Sequence, residues 1–169
     1  IVSSNKINPA DINTIYISKS IPDFRTLGVV LADFDYKGSY NDFYSDFNIR
    51  SMGGNIRGQG HLNINEKFYS GNVITNNLNL ALILNDKKLK SNINFDARFE
   101  GSGFSTNTMS TGVRYTLRNS SAAGYNIVSS SGTVNINRNN ISLNIKANSS
   151  AGSTAVSGMI NISNMKNPV

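Results

Sequence analysis

Apolar residues recur at every second position through most of the chain. Val30, Ala32, Phe34 and Tyr36 alternate with polar neighbours, as do Phe43, Ser45, Phe47 and Ile49, and then Ile56, Gly58, Gly60, Leu62 and Ile64. The pattern returns at Ile93, Phe95, Ala97 and Phe99, at Val113, Tyr115 and Leu117, and at Ile141, Leu143, Ile145 and Ala147. Alternate residues of a strand point to opposite faces of a sheet, so each segment presents one apolar and one polar face. Strands are predicted at 27–39, 42–51, 54–65, 68–76, 90–101, 109–119, 125–137, 141–148 and 154–163. Their links carry turn chemistry at Gly38-Ser39, Gly53-Gly54, Asn139-Asn140 and Ala151-Gly152-Ser153. The Asn-Asn link tolerates the positive φ of a tight hairpin, which makes its flanking strands antiparallel neighbours.

Two stretches depart from the pattern. Between Asn79 and Leu89 the spacing of Leu80, Leu84 and Lys87-Lys88 fits one or two helical turns, short enough to plug or cap one end of a sheet. Residues 1–26 read as an irregular lead-in, because Pro9 and Pro22 exclude central strand positions nearby. Within it Ile12, Ile15 and Ile17 fit a short edge strand or a turn of helix. The fold class is therefore all-β: a long-stranded, curled, antiparallel or mixed sheet with one short helical link. Residues 27–169 form its β-groove domain, read as a fragment of a larger protein. A strand of about 12 residues is about 40 Å long, more than a globular sandwich usually needs.

The apolar face must meet another sheet, its own curled edges, or a ligand that is itself apolar. If it lines an open trough, the lining residues are Val30, Phe34, Phe43, Phe47, Ile49, Ile56, Leu62, Ile64, Ile93, Phe95, Phe99, Val113, Tyr115, Leu117, Ile141, Leu143, Ile145, Ile160 and Ile162.

Composition adds constraints to this picture. The 169 residues include 27 Asn and 23 Ser, short polar side chains that fall mostly on the outward parity and in turns. Charged residues make up only 15%, yet the strict apolar patterning separates the chain from a disordered one. With no Cys, neither a disulfide framework nor a thiolate metal site can form, which is compatible with an oxidising compartment such as the periplasm. The longest apolar run, Leu80 to Leu84, is far short of the ~20 residues of a membrane span. Ile1 to Lys6 lack the regions of a signal peptide, so any targeting or anchoring segment is expected outside the chain.

Catalytic chemistry is in short supply. The single His, His61, shares its parity with Gln59 and Asn63 and points away from the apolar face. A triad would need a nucleophile and an orienting partner beside it. Asp33 with Asp35, and Asp42 with Asp46, offer carboxylate pairs for glycoside cleavage or Ca²⁺. All four lie on the polar parity with Lys37 and Arg50 nearby, the pattern of solvated surface charge. No catalytic residue, metal site or cofactor is expected. The net charge of +6 suggests nucleic acid, whose sites interleave basic and aromatic side chains on one surface. Here Arg50, Arg57, Arg98, Arg114, Arg118 and Lys146 take one parity, and Phe34, Phe43, Phe47, Phe95 and Phe99 the other. That separation argues against nucleic-acid binding and favours solubility or attraction to anionic membrane surfaces.

The run Gly38-Ser39-Tyr40-Asn41-Asp42-Phe43-Tyr44-Ser45-Asp46-Phe47-Asn48-Ile49, followed by Gly54-Asn55-Ile56-Arg57-Gly58, resembles the repeating unit of the TamB family in its Bacteroidetes form. These are the AsmA-like translocation and assembly module proteins. Tyr69-Ser70-Gly71, the segment from Leu78 to Leu89, Phe99-Glu100-Gly101-Ser102-Gly103-Phe104 and Gly158-Met159-Ile160-Asn161-Ile162-Ser163 extend the likeness from about Leu27 to Ser163. The resemblance implies a protein anchored in the inner membrane of a Gram-negative bacterium, with a periplasmic body curled into an apolar groove (a β-taco). It also implies phospholipid transport between the membranes or outer-membrane protein assembly. The implied partners are phospholipid acyl chains and an outer-membrane assembly barrel of the BamA/TamA kind. Between Asn107 and Ala123 the chain departs from the family pattern, with Ser and Thr at expected apolar positions. The competing reading of the same residues is a closed β-sandwich or β-solenoid serving as a surface adhesin or glycan-binding module.

Overall fold

The computed structural model of the chain describes residues 2–7, 24–122 and 124–163. Ten strands form one sheet in sequence order: β1 (Val2–Ile7), β2 (Val30–Ser39), β3 (Asp42–Ser51), β4 (Gly54–Asn63), β5 (Phe68–Leu78), β6 (Ser91–Ser102), β7 (Ser110–Ala122), β8 (Tyr125–Asn137), β9 (Asn140–Ser149) and β10 (Gly152–Asn161). Every neighbouring pair is antiparallel, and β1 and β10 are not joined, so the sheet is an open meander. No second sheet covers it among the described residues. The strands expected from alternation are all present, with ends displaced by a few residues. The strand Val2–Ile7 was not expected: it pairs with β2 before Pro9 intervenes, with a register shift between Val2 and Asn5. Ile12, Ile15 and Ile17 lie outside the described residues.

Short hairpins set the register, and their chemistry repeats. Met52-Gly53 and Ser150-Ala151 are two-residue loops, each bracketed by a Ser and a positive-φ Gly. The Ser51 hydroxyl donates to the Gly54 carbonyl (3.3 Å) and accepts from Gly53 N–H (3.1 Å), and Ser149 does the same with Gly152 (3.1 Å) and Ala151 (3.2 Å). Two expected turns sit elsewhere. Gly38-Ser39 belongs to β2, with the loop at Tyr40-Asn41, and the loop after β8 is Arg138-Asn139. Arg138 takes the positive φ (54°) that Asn-Asn was expected to supply.

One end of the sheet is capped. Between β5 and β6 the chain forms a single helical turn, α1 (Leu80–Ile83), and a 3-10 turn at Lys87–Leu89. Asn79 caps α1, its side chain accepting from Ala81 N–H at 3.1 Å. Ser91 ties this turn to β6, accepting from Leu80 N–H at 2.8 Å. A second 3-10 turn, Phe24–Leu27, lies against α1. Leu27 accepts from Met52 N–H (3.1 Å), and Asn79 N–H donates to Gly53 (2.8 Å), so both turns are fastened to the β3–β4 hairpin. Gly53 is buried there between the Leu27 and Ile83 side chains. Thr75 (2% exposed) and Ala32 (4%), two of the three most buried residues of the sheet with Ser120 (4%), share the row that runs through Ile49 and Ile56 near this end.

A second device bends the sheet. Extra residues interrupt the ladders of β5 between Thr75 and Leu78, of β7 between Leu117 and Ser121, and of β8 between Ile127 and Ser129. Asn77 (φ 55°) and Asn119 (φ 44°) occupy two of these bulges in the left-handed region that Asn tolerates. Asn94 on β6 joins them: its Oδ1 accepts from Asn77 N–H (2.8 Å) and its Nδ2 donates to the Asn119 carbonyl (3.0 Å). The Asn94 backbone N–H also donates to the Ser120 hydroxyl at 2.9 Å. The single-residue insertions keep Leu78, Ser120 and Ile127 on the apolar side of the sheet.

Replacing Asn94 with Ala removes both bulge contacts while leaving the ladder intact. The expected loss is about 1–3 kcal/mol, read as a lower urea midpoint, with amide exchange accelerated first at Asn77 and Asn119.

Candidate apolar docking face

Register places the apolar parity of nine strands on one continuous face. One row runs Phe34, Phe47, Gly58, Val73, Ala97, Tyr115, Gly132, Ile145, Val156; the next runs Tyr36, Ser45, Gly60, Gly71, Phe99, Val113, Val134, Leu143, Gly158. Flanking rows carry Ile49, Ile56, Phe95 and Leu117 on the capped side, and Phe43, Leu62, Tyr69, Ile141 and Ile160 on the other. Val30 and Ile93 extend the same face at its capped end. Of the lining residues expected from sequence, Ile64 and Ile162 fall outside the strands. Ile64 sits in the turn after β4, its N–H bonded to the Asn41 carbonyl (2.7 Å), and Ile162 follows β10, its N–H bonded to Asn139 (2.8 Å). Alternation continues past the last ladder bond in both places, which is why the sequence included them.

Aromatic rings cover this face by lying across glycines. Phe47 is the direct partner of Gly58, Phe99 of Gly71, Tyr69 of Gly101 and Tyr115 of Gly132. A Cβ on Gly58 would lie 2.7 Å from Phe47 Cζ, one on Gly71 2.9 Å from Phe99 Cζ, one on Gly101 2.9 Å from Tyr69 Cε2, and one on Gly132 3.0 Å from Tyr115 Cε1. Each ring therefore occupies the space its glycine leaves empty, burying one side of itself on backbone and presenting the other outward. The Tyr69 hydroxyl also hydrogen-bonds Thr111, one of the Thr positions where a hydrophobe was expected.

The outward surface remains open. Ala32, Leu78 and Ala97 are the buried apolar residues of the described chain, while Phe34 is 45% exposed, Tyr36 50% and Val156 52%. The face spans roughly 20 Å along the strands, from the first to the fourth of four alternate residues at ~3.3 Å per residue, and roughly 38 Å across its nine strands spaced ~4.8 Å apart. Tyr69, Val73, Val134, Ile136 and Val156 belong to it although sequence reading did not single them out as lining residues. Val134 and Ile136 alternate with Asn135 and Asn137, a signal that was present; β5 hides its pattern behind Gly71 and Thr75.

The opposite face is mainly polar, interrupted by Leu31, Tyr44, Phe68, Ile74 and Met159. Arg50, Arg57, Arg98, Arg114, Arg118 and Lys146 are all exposed, opposite in parity to the phenylalanines. Arg50 pairs with Asp33 at 3.1 Å, a contact open to solvent and of small energetic weight. Asp35 and Asp46 oppose each other across β2 and β3, and Arg57, Gln59 and Asn72 complete a depression of about 580 Å³ around them. His61 is committed elsewhere: its Nε2 lies 2.8 Å from Asp42 Oδ1, and its ring stacks on Tyr44 with centroids 4.1 Å apart. Two further depressions also follow polar rows, lined by Gln59, Ser70 and Asn72 in one case and by Arg98, Arg114 and Asn135 in the other. Short side chains between long ones leave gaps there, whereas on the apolar face the rings fill theirs. No three His, Asp or Glu side chains converge to hold a metal ion among the described residues. No helix of the described chain is long and apolar enough to cross a membrane, which leaves strand-based crossing unaddressed.

Comparison of the chain with family models, curated proteins and solved structures returns no match.

Proposed function

We propose that the chain is a periplasmic β-sheet segment of a TamB/AsmA-like protein, and that its apolar face carries phospholipid acyl chains between the inner and outer membranes. The observation that supports this is an apolar face several strands wide with no second layer upon it among the described residues. Monomeric soluble proteins seldom expose contiguous apolar patches beyond a few hundred Å², and larger ones mark interaction surfaces. The hydrocarbon of one membrane leaflet is about 15 Å thick, half of the ~30 Å core. A face of roughly 20 by 38 Å thus accommodates several acyl chains side by side. Rings seated on glycine suit this cargo, because they make a smooth surface on which the two tyrosine hydroxyls, of Tyr69 and Tyr115, are already hydrogen-bonded to Thr111 and Ser130. An outer-membrane assembly barrel remains a partner of the same proposal, as the acceptor at the far end of the path. The role is binding and transport, without catalysis.

The test is site-specific photocrosslinking with the chain incubated with phosphatidylglycerol and phosphatidylethanolamine vesicles. A photoreactive side chain at Phe34 or Val113 is expected to yield lipid adducts, and one at Asp35 or Thr116 on the opposite face to yield few. Equal labelling of both faces, or none at Phe34 and Val113, would overturn the proposal.

A companion experiment separates an open face from a sealed core. Phe34→Arg, at a position already 45% exposed, is expected to keep the melting temperature within a few degrees while reducing lipid adducts at Val113. In a sealed core the same unpaired charge would cost several kcal/mol and unfold the chain.

A further inference from the structure

The link between β5 and β6 divides into two halves. Its first half packs inward: α1 lies against the turn at Phe24–Leu27, and Ile83 meets the buried Gly53. From Leu84 to Lys90 every residue is exposed, and the run reads Leu-Asn-Asp-Lys-Lys-Leu-Lys. Two leucines thus stand in water among three lysines. Asp86, the one acid of the run, is turned to the backbone, its Oδ1 accepting from Lys88 N–H at 2.9 Å. The ion pairs among the described residues do not involve Lys87, Lys88 or Lys90. The same end exposes Val29 and Met52 (71%), on turns fastened to the link through Leu27 and Gly53. The opposite end also exposes Tyr40, Ile64 and Phe104, but Phe104 stacks on Tyr69, and the loop of Ile64 carries Glu66 beside Lys67. Among the described residues, exposed aliphatic side chains and a cluster of unpaired lysines coincide at the capped end.

We propose that the capped end is a docking surface for an anionic lipid bilayer, with Met52, Leu84 and Leu89 entering the interface and Lys87, Lys88 and Lys90 meeting lipid phosphates. Lysine stems lie along apolar surface while the ammonium group stays at headgroup level, so both kinds of side chain act at one depth. Each lysine near a negative membrane surface strengthens binding about fivefold, and apolar side chains at the interface add to this. Nucleic acid is the poorer occupant, because the run from Leu84 to Lys90 offers no ring to stack a base and no arginine fork for a phosphate. A protein partner would find no cleft in the run, since the three depressions described above lie elsewhere. The surface is made by an internal link and a hairpin, so it stays the same however the sheet continues beyond either edge strand. The inference does not depend on what the apolar face binds.

Flotation of the 1–169 chain with lipid vesicles tests it. The chain is expected to float with vesicles of phosphatidylglycerol mixed with phosphatidylcholine, and to stay behind with phosphatidylcholine alone. Lys87→Gln with Lys88→Gln is expected to weaken binding about 25-fold, about fivefold for each charge. Arg114→Gln with Lys146→Gln removes the same charge from the polar face, away from the docked surface, and is expected to change binding about threefold at most. Leu84→Ser with Leu89→Ser is expected to weaken it about tenfold or more. All six residues are exposed, and circular dichroism checks that the variants stay folded. Equal flotation with both kinds of vesicle, or none with either, overturns the proposal. So does binding indifferent to the lysine pair, the outcome expected if the apolar face itself meets the bilayer, and so does an equal loss in the polar-face variant, the outcome expected of net charge alone. Binding unchanged by the leucine pair overturns it as well, because the lysines would then adsorb without insertion.

Discussion

A sheet one layer thick must bury its apolar face against itself. In this chain the means is the pairing of an aromatic ring with a glycine directly across the ladder, made at Phe47 and Gly58, Phe99 and Gly71, Tyr69 and Gly101, and Tyr115 and Gly132. Glycine in a strand weakens it, through lost side-chain packing and a larger entropy loss on folding. Here each glycine recovers part of that loss by giving a ring a flat place to lie, so a hydrophobe of up to about 150–250 Å² is half covered without a second layer. Gly60 has no such ring over it, and its nearest neighbours to an added Cβ are 3.8 Å away. The contrast separates glycines that are required from glycines that are tolerated.

The rest of the architecture follows from that economy. Because no opposing layer sets the curvature, local devices must do so: the bulges at Asn77 and Asn119, bridged by Asn94, and the cap built from α1 and the turn at Phe24–Leu27. The abundance of Asn and Ser then has a structural reason. These side chains close hairpins, occupy left-handed positions and satisfy the backbone groups that bulges release. They also give the polar face a surface of short, solvated side chains with little net work to do. Function, on the proposed reading, uses what the fold leaves over, an apolar face that the chain itself only half covers.

Much of this was legible in the sequence, and the limits have physical causes. Period-two alternation located β2 to β10 and assigned the faces of Phe34, Phe95, Leu143 and their neighbours, because one residue of error would have reversed every side chain. It also placed His61 and the arginines on the other face. The first strand escaped notice because Val2–Ile7 shows no alternation of its own and lies close to Pro9. The bulges escaped because one inserted Asn in an Asn-rich chain carries no mark. Thr111 and Ser120 read as gaps in the apolar pattern, yet both are buried and hydrogen-bonded, to Tyr69 and to Asn94. The pairing of rings with glycines could not be read at all, since it depends on register between strands rather than on order within one.

The central claim is that the apolar face is open to solvent in the folded chain, and cysteine accessibility tests it most directly because the sequence contains no Cys. Val134→Cys reports on the apolar face and Thr133→Cys on the polar face of the same interior strand. Under native conditions both thiols should react with a small apolar maleimide at rates within about tenfold of each other, because neither face is covered; the tenfold margin corresponds to ~1.4 kcal/mol of protection. If the thiol of the Val134→Cys variant is instead protected to the extent of global unfolding while that of Thr133→Cys reacts freely, a second layer covers the face and the account is wrong.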